Sequence, residues 1–253
     1  MPDKRNIALS IAYVGTRYHG WQIQANGDTV QQTLQEAILK TTGQRVSLSG
    51  CGRTDAGVHA KVYICSAKLD TSIPLDRLPL ALNARLPSDI VVRWAKEVPE
   101  RFDARFSCRK KEYTYTVLNT RVRDPFLLER ACHFPYALDF SRVQAAAKAF
   151  EGTHDFAAVQ RQGSPVKTTV RTIYWCEPTQ EDGVIRVRVC GNGFLYNMVR
   201  AVTGTLLYAG LGKIEPADIT AILDSRDRAL AGPTLPAAGL ALTGLWYDEF
   251  ILP

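Results

Sequence analysis

The feature that most constrains the fold of this chain is an order of strand-like and helix-like segments that occurs twice. In the first half the order is strand, helix, strand, strand, helix, strand, and the second half follows it approximately. Units of this βαββαβ type form antiparallel sheets with helices on one face, which leaves the other face open for a ligand. The sequence therefore predicts an α+β protein made of two similar modules.

The first half opens with an alternating strand at Arg5–Tyr13, followed by a helix over residues 29–43. Thr29 and Gln32 predict a capping box at the start of this helix. Its apolar face consists of Val30, Leu34, Ala37 and Ile38. Further strands are predicted at residues 45–49, 62–69 and 90–95, and a short helix at residues 75–84.

In the second half, strands are predicted at residues 111–119, 169–176, 184–190 and 242–248. Helices are predicted at residues 141–150, 195–211 and 216–225. The first of these helices has Val143, Ala146, Ala147 and Phe150 on one face, and the second has Leu195, Met198, Val199, Val202 and Leu206 inward.

The two modules are predicted to be ferredoxin-like or RRM-like and to lie in tandem. We expect an N-terminal module of residues 1–106, which carries a glycine-flanked loop with Asp55, and a C-terminal module of residues 107–253. Their antiparallel sheets are expected to join, with a ligand cleft between the modules. Arg186 and Arg188 alternate with apolar residues in their strand, which indicates an open basic face or simple solvation of two surface arginines.

Charge and composition narrow the class of ligand. The net charge is +6 with a pI near 9.0, and the positive charge is concentrated in runs such as residues 105–111, which favours polyanions, above all nucleic acid. A solvated basic surface is the simpler reading of the same charge. The chain has no run of about 18 apolar residues and no signal-like start with a cleavage site, so we expect a cytoplasmic protein without membrane association. Its six cysteines have no zinc-type spacing, which predicts free thiols and no metal site.

The stretch SLSGCGRTDAGVHAKVY contains a lone aspartate, Asp55, between Gly52 and Gly57, with Arg53 two residues before it. Glycines around a polar residue between two strands are typical of a loop that approaches a ligand closely. An ordinary turn, in which the aspartate bonds its own backbone, explains the same residues. His59 could form a metal pair with Asp55, but no third ligand is in view, so a structural histidine is the better interpretation.

Eight strings, in order along nearly the whole chain, resemble the tRNA pseudouridine synthase A family. They are YHGWQIQ, GCGRTDAGVHA, FDARFSC, KEYTY, GTHDF, TVRTI, GNGFLYNMVR and AGPTLPAAGLALTGLWY. The resemblance implies an isomerase that converts uridines 38, 39 and 40 of the tRNA anticodon stem-loop to pseudouridine. It also implies that no cofactor is needed and that the protein is a homodimer that binds tRNA.

The resemblance also assigns roles to residues. Asp55 matches the family's nucleophile, which acts by adding to uracil C6, by attacking C1′, or by assisting loss of the C2′ proton. Arg53 and Arg200 match basic positions that pair with the nucleophile or with a target phosphate. Tyr113 is expected to stack on the flipped uracil and to serve in proton transfer at C5. Leu240 matches an aliphatic residue that lines the base.

The basic run Arg109, Lys110 and Lys111 is expected to contact tRNA. Three departures from the family stand out: Val14 where an acidic residue is usual, Val159 where an aromatic one is, and Glu112 within the basic run. Three alternatives remain open: a pseudouridine synthase for other tRNA positions, a non-catalytic RNA-binding module, and an aspartate-dependent hydrolase. The hydrolase lacks a recognisable water-activating partner.

Overall fold

The computed structural model describes residues 4–161, 163 and 166–248, and it separates into two compact units. The first unit runs up to Arg109 and also includes the segment from Leu242 onward, whereas the second consists of Lys110–Ala241. These units differ from the expected modules in the last strand, which is expected in the second module but lies in the first unit. Its place in the first unit follows from Tyr247, whose ring packs 5.4 Å from that of Phe102 and whose hydroxyl donates to the Ala104 carbonyl. The expected module ends, residues 1–3 and 249–253, lie outside the described residues.

Six elements of the first unit precede its boundary at Arg109. They are β1 (Arg5–Tyr13), α1 (Val30–Thr42), β2 (Ser49–Gly50), β3 (His59–Leu69), α2 (Leu78–Asn83) and β4 (Ile90–Glu97). β1 lies in the middle of its sheet, antiparallel to β3 on one side and to β4 on the other. The short β2 pairs antiparallel with β3.

Helix α1 forms as the sequence predicts. All four residues of its apolar face are buried, and the Thr29 side chain accepts a hydrogen bond from the Gln32 main-chain N–H at 3.3 Å. The capping box is only half formed in the described residues, because the Gln32 side chain donates to Glu36 and does not accept from the Thr29 N–H. Gly43 ends the helix in the left-handed conformation, with φ of +73°.

The remaining elements follow in chain order. They are β5 (Cys108–Leu118), β6 (Cys132–His133), α3 (Phe140–Lys148), β7 (Gly152–Asp155), β8 (Val170–Glu181), β9 (Val184–Gly191), α4 (Met198–Gly210), α5 (Ile219–Ser225) and β10 (Leu240–Tyr247). Within the second unit, β5 pairs with β9, β9 with β8 and β8 with β7, each antiparallel, whereas β6 runs parallel to its partner β5. The α+β class with antiparallel pairing is therefore confirmed.

The core of the second unit lies around α3 and α4. The predicted inward residues of both helices are buried, and α4 is buried on nearly every side, including Thr203 and Thr205. Each of these hydroxyls donates to the carbonyl four residues earlier, so no polar group is left unpaired there. Among the described residues, no helix is long and apolar enough to span a membrane.

Several predicted boundaries were wrong. Residues 45–49 do not form a strand before Ser49, and the predicted helix at 75–84 is helical only over Leu78–Asn83, after a turn closed on the Pro74 carbonyl. Helix α4 begins at Met198 and not at Leu195, because Asn197 before it has a φ of +64°. The helix predicted at 216–225 starts as a 3₁₀ turn over Pro216–Asp218.

Candidate functional site

Asp55 lies in the first unit, in the loop between β2 and β3. Asp55 is partly exposed, and Arg53, two residues before it, is exposed. The loop turns sharply after the aspartate, because the Val58 N–H donates to the Asp55 carbonyl at 3.1 Å and Gly57 has a φ of +78°. Within the described residues, no ion pair involves Arg53.

A second loop of the first unit, residues 18–21 (the YHGW loop), is hydrogen-bonded to the Asp55 loop through main-chain atoms. The Gly57 N–H donates to the Tyr18 carbonyl at 3.1 Å, and the Trp21 N–H donates to the Thr54 carbonyl at 3.3 Å. Gly20 has a φ of +85°, and a Cβ built on it would lie 2.2 Å from the Thr54 carbonyl oxygen. The two loops therefore approach each other as closely as glycine allows.

Buried side chains support the Asp55 loop from below. The Tyr13 and Thr54 hydroxyls lie 2.8 Å apart, and the Tyr63 hydroxyl donates to the Gly52 carbonyl at 2.5 Å. Trp21 stacks on Tyr63 with ring centres 4.1 Å apart. Burial raises the pKa of Tyr63 well above its usual value, so its phenol stays protonated as a hydrogen-bond donor.

His59 is a structural histidine, as the sequence indicates. Its side chain is 6% exposed, and its Nδ1 accepts a hydrogen bond from the Gly15 N–H at 3.0 Å. A nitrogen that accepts in this way carries no proton, so this nitrogen cannot donate to a substrate. Within the described part of the chain, no group of three or more His, Cys, Asp or Glu side chains could hold a metal ion.

Tyr113, Arg200 and Leu240 lie in the second unit. Tyr113 is opposite Val189 in the β5–β9 pairing, is 8% exposed, and meets Phe194 edge to face with ring centres 5.2 Å apart. Leu240 is 5% exposed at the start of β10.

Arg200 lies in the first turn of α4 and is fixed by two bonds. Its Nε donates to the Leu235 carbonyl at 2.7 Å, and its Nη1 donates to the Asn197 side chain at 2.6 Å. Asn197 is not among the residues predicted from the sequence. It could have been recognised as an asparagine directly before a helix, since this residue type tolerates the left-handed conformation.

Arg186 and Arg188 face away from Ile185, Val187 and Val189, whose side chains are fully buried, as predicted. Each arginine has an acidic partner, however. Arg188 lies 2.8 Å from Glu112 and 3.2 Å from Glu177, and Arg186 lies 3.8 Å from Glu181. The face is therefore less basic than the sequence predicts.

Glu112, the unusual negative charge in the basic run, is 6% exposed and belongs to this arrangement. Its Oε2 accepts from Arg188 at 2.8 Å and from the Trp175 indole N–H at 3.1 Å. The bond to Glu112 raises the pKa of Arg188. The buried carboxylate of Glu112 is thus paired with the guanidinium of Arg188, which remains half exposed.

The run predicted to contact tRNA is partly engaged within each unit. In the first unit, Arg109 pairs with Asp248 at 2.6 Å on the surface. In the second, the Lys110 ammonium lies 4.6 Å from the ring centre of Tyr174, which is 41% exposed. Lys111 is partly exposed. An RNA base can stack on an exposed aromatic ring, and a cation beside the ring adds to the attraction.

Comparison with known proteins places the chain in a family. A model of the tRNA pseudouridine synthase family matches residues 9–107 and 146–248. tRNA pseudouridine synthase A of Ruminiclostridium cellulolyticum is 46% identical over 244 residues, and that of Thermoanaerobacter sp. is 45% identical over 243 residues. Each alignment covers 96% of this chain and 100% of the relative. The chain therefore belongs to the tRNA pseudouridine synthase family, whose members are isomerases that act on tRNA.

Similarity to solved structures is weak. A chain in the crystal structure of a Cbf5-Nop10-Gar1 complex has a TM-score of 0.36 and 13% identity, with 93% of this chain and 57% of that chain covered. This chain thus spans little more than half of that one. A TM-score of this size supports no conclusion, so the family assignment rests on the sequence matches.

Proposed function

We propose that the protein converts uridines 38, 39 and 40 of the tRNA anticodon stem-loop to pseudouridine, with Asp55 as the nucleophile. The observation that carries this proposal is that main-chain hydrogen bonds fix the loop around Asp55. Gly57 and Thr54 on either side of Asp55 are bonded to the YHGW loop, while the aspartate itself remains partly exposed. A carboxylate that is carried on a fixed loop and is accessible is what covalent catalysis requires.

The chemistry explains why one carboxylate suffices. The N1–C1′ bond of uridine breaks, a C5–C1′ bond forms, the C5 proton leaves and N1 gains a proton, so no redox partner or group donor is consumed. Asp55 takes part by adding to C6, by attacking C1′ or by accepting the C2′ proton. All three pathways need the ionised carboxylate, which a nearby arginine favours.

Four other residues are proposed to contact the substrate or to support the nucleophile. Arg53, which is exposed, and Arg200 are assigned to the charge of Asp55 or to a target phosphate, with the division between them open. Tyr113 stacks on the uracil and exchanges the proton at C5, and Leu240 lines the base. These roles rest on the family motifs.

The substrate has to be reached by base flipping, since uridines in a stem are stacked. Arg109, Lys110 and Lys111 supply backbone contacts to the anticodon arm, in a chain with a net charge of +6. The proposed substrate places the protein in the cytoplasm. The proposed reaction requires no cofactor.

We also propose that the protein acts as a homodimer. The segment between β5 and β6 supports this, because Val122, Phe126 and Leu128 are exposed by 78%, 91% and 69%. Apolar surface of this kind commonly marks a protein contact. Sedimentation should find wild type as a dimer and Phe126→Asp shifted toward monomer, and a monomeric wild type would contradict the proposal.

The test of the reaction is chemical mapping of pseudouridine in an unmodified tRNA transcript with uridines at 38, 39 and 40, without added metal or cofactor. Wild type and the control Asp76→Asn, an exposed aspartate of the same unit, should both modify these positions, and Asp55→Asn should modify none. Product with Asp55→Asn would remove Asp55 as nucleophile. Product at other positions would change the substrate site, and binding without any product would leave a binding module.

A further inference from the structure

A rigid turn in the first unit presents two side chains to solvent. At residues 103–107, the Ser107 N–H donates to the Asp103 carbonyl at 2.9 Å. The Asp103 Oδ1 accepts from the main-chain N–H groups of Arg105 and Phe106 at 2.8 and 3.0 Å. The direction in which Arg105 and Phe106 leave the backbone is therefore fixed.

The inner side of the turn is anchored in the core. Ala104 is fully buried, its N–H donates to the Ser66 hydroxyl at 3.2 Å, and its carbonyl accepts from the Tyr247 hydroxyl at 2.8 Å. Phe102 is 6% exposed against the ring of Tyr247. Both Ala104 bonds are buried, so the turn does not depend on Arg105 or Phe106 for its shape.

On the outer side, the Phe106 ring is 77% exposed and the Arg105 guanidinium lies 5.4 Å from the ring centre. A single exposed phenylalanine needs no explanation by itself. A ring and a guanidinium held together on a fixed turn, however, form the platform on which proteins stack unpaired bases.

A polar groove lies beside this turn. Its volume is about 470 Å³, and its lining includes Ser47, Ser49, Lys68 and Arg101. Hydroxyl groups beside cationic side chains suit a ribose and its phosphate. In this groove Lys68 pairs with Glu100, and the Asp103 carboxylate is occupied by the backbone of the turn. Arg101 in the groove and Arg105 on the turn add positive charge, which favours an anion.

We propose that Arg105 and Phe106 form a stacking site for an unpaired RNA base, and that the adjacent groove receives the ribose and phosphate of the same strand. The inference rests on the proposed function to the extent that tRNA is the RNA. Base flipping and the anticodon loop both supply unpaired bases close to the reacting uridine. The charge of the turn distinguishes this ligand from a second copy of the chain, which is itself basic.

The first test measures tRNA binding by the full chain. Phe106→Ala should weaken binding of an unmodified tRNA transcript by about 5- to 100-fold, and Phe106→Tyr should restore it. Phe106→Leu, which keeps the bulk without the π face, should bind like the alanine variant. Leu80→Ala is the matched control, since Leu80 is 61% exposed on α2 of the same unit. Thermal unfolding should be unchanged in all four variants, because both side chains are exposed.

A second test reports on stacking directly. Tryptophan fluorescence of Phe106→Trp should be quenched by tRNA beyond the quenching of wild type, and that of Leu80→Trp should not. Equal binding by Phe106→Ala and wild type, or no added quenching in Phe106→Trp, would overturn the stacking site. A change in oligomeric state without a change in tRNA binding would show that the turn contacts protein. If wild type binds tRNA but forms no pseudouridine, the proposed reaction fails while the binding tests still decide on the stacking site.

Discussion

The main-chain N–H of Gly57 donates to the carbonyl oxygen of Tyr18 at 3.1 Å, so two loops distant in sequence hold each other two residues from Asp55. Both partners are backbone atoms, and no substitution of a side chain removes the bond directly. Only a change in the distance between the two loops can disturb it. Gly20 controls that distance, because it lies against the Thr54 carbonyl.

Gly20→Ala should therefore lower both stability and the rate of pseudouridine formation. Its Cβ would lie 2.2 Å from the Thr54 oxygen, so the backbone beside Asp55 has to move, and a shift of about 1 Å can cost about 100-fold in rate. Gly43→Ala is the control, because Gly43 also has a positive φ but no atom lies within 4 Å of the added Cβ. Gly43→Ala should cost only about 1–2 kcal/mol of unfolding free energy and leave the rate unchanged. Equal rates in the two variants would contradict this expectation.

Tyr13 and Thr54 should be energetically coupled. Their hydroxyls lie 2.8 Å apart and are buried, so Tyr13→Phe or Thr54→Val removes this hydrogen bond from the other hydroxyl. Each single change should cost about 1–3 kcal/mol in urea unfolding, and the double variant should cost less than the sum of the two. Strictly additive costs would show that the hydroxyl pair contributes nothing.

Glu112→Gln should destabilise the second unit. The change removes a charged acceptor that is 6% exposed and leaves the Arg188 bond weaker, at an expected cost of about 2 kcal/mol. The matched control is Glu181→Gln, whose carboxylate is 78% exposed and 3.8 Å from Arg186, and which should cost less than about 0.5 kcal/mol. Urea unfolding measures both, and similar costs for the two variants would refute a structural role for Glu112.

Stability should fall at alkaline pH partly through Tyr18. Burial, together with the hydrogen bond to Asp89, raises the pKa of Tyr18 from 10.0 to about 12. The unfolded chain ionises first, so the contribution of Tyr18 is complete below pH 10.0 and is lost as the pH rises to about 12.

Tyr18→Phe should accordingly flatten the fall in unfolding free energy between pH 10 and pH 12. Part of the fall should remain, because burial also raises the pKa of the Cys176 thiol to about 12. Urea unfolding at a series of pH values gives the two curves. Parallel curves for wild type and Tyr18→Phe would show that Tyr18 does not contribute.

Helices were predicted best where an apolar face recurs at helical spacing. The four inward residues of α1 could be named because burial of that face is the main force that forms the helix. The start of α4 was missed, because Leu195 continues the apolar pattern and is buried although it lies before the helix. The deciding feature is the backbone of Asn197, which apolar periodicity does not register.

The candidate site shows a similar division. Asp55 and Arg53 could be named as candidates from their motif, since the proposed chemistry depends on their side chains. Their support could not, because the Tyr18 and Thr54 carbonyls and the Gly57 N–H are groups that every residue of their type possesses. Likewise, alternation correctly turned Arg188 away from the core, but its pairing with Glu112 depends on the register between β5 and β9.

The return of the chain to the first unit at Leu242 has a consequence for synthesis on the ribosome. Lys110–Ala241 can complete the second unit while the first unit still lacks β10 and the Tyr247 bond to Ala104. The Asp55 loop belongs to that first unit, so a chain released early contains every motif residue before Leu242 but lacks a finished scaffold for its aspartate. Products that end before Leu242 should therefore form no pseudouridine and should be readily degraded.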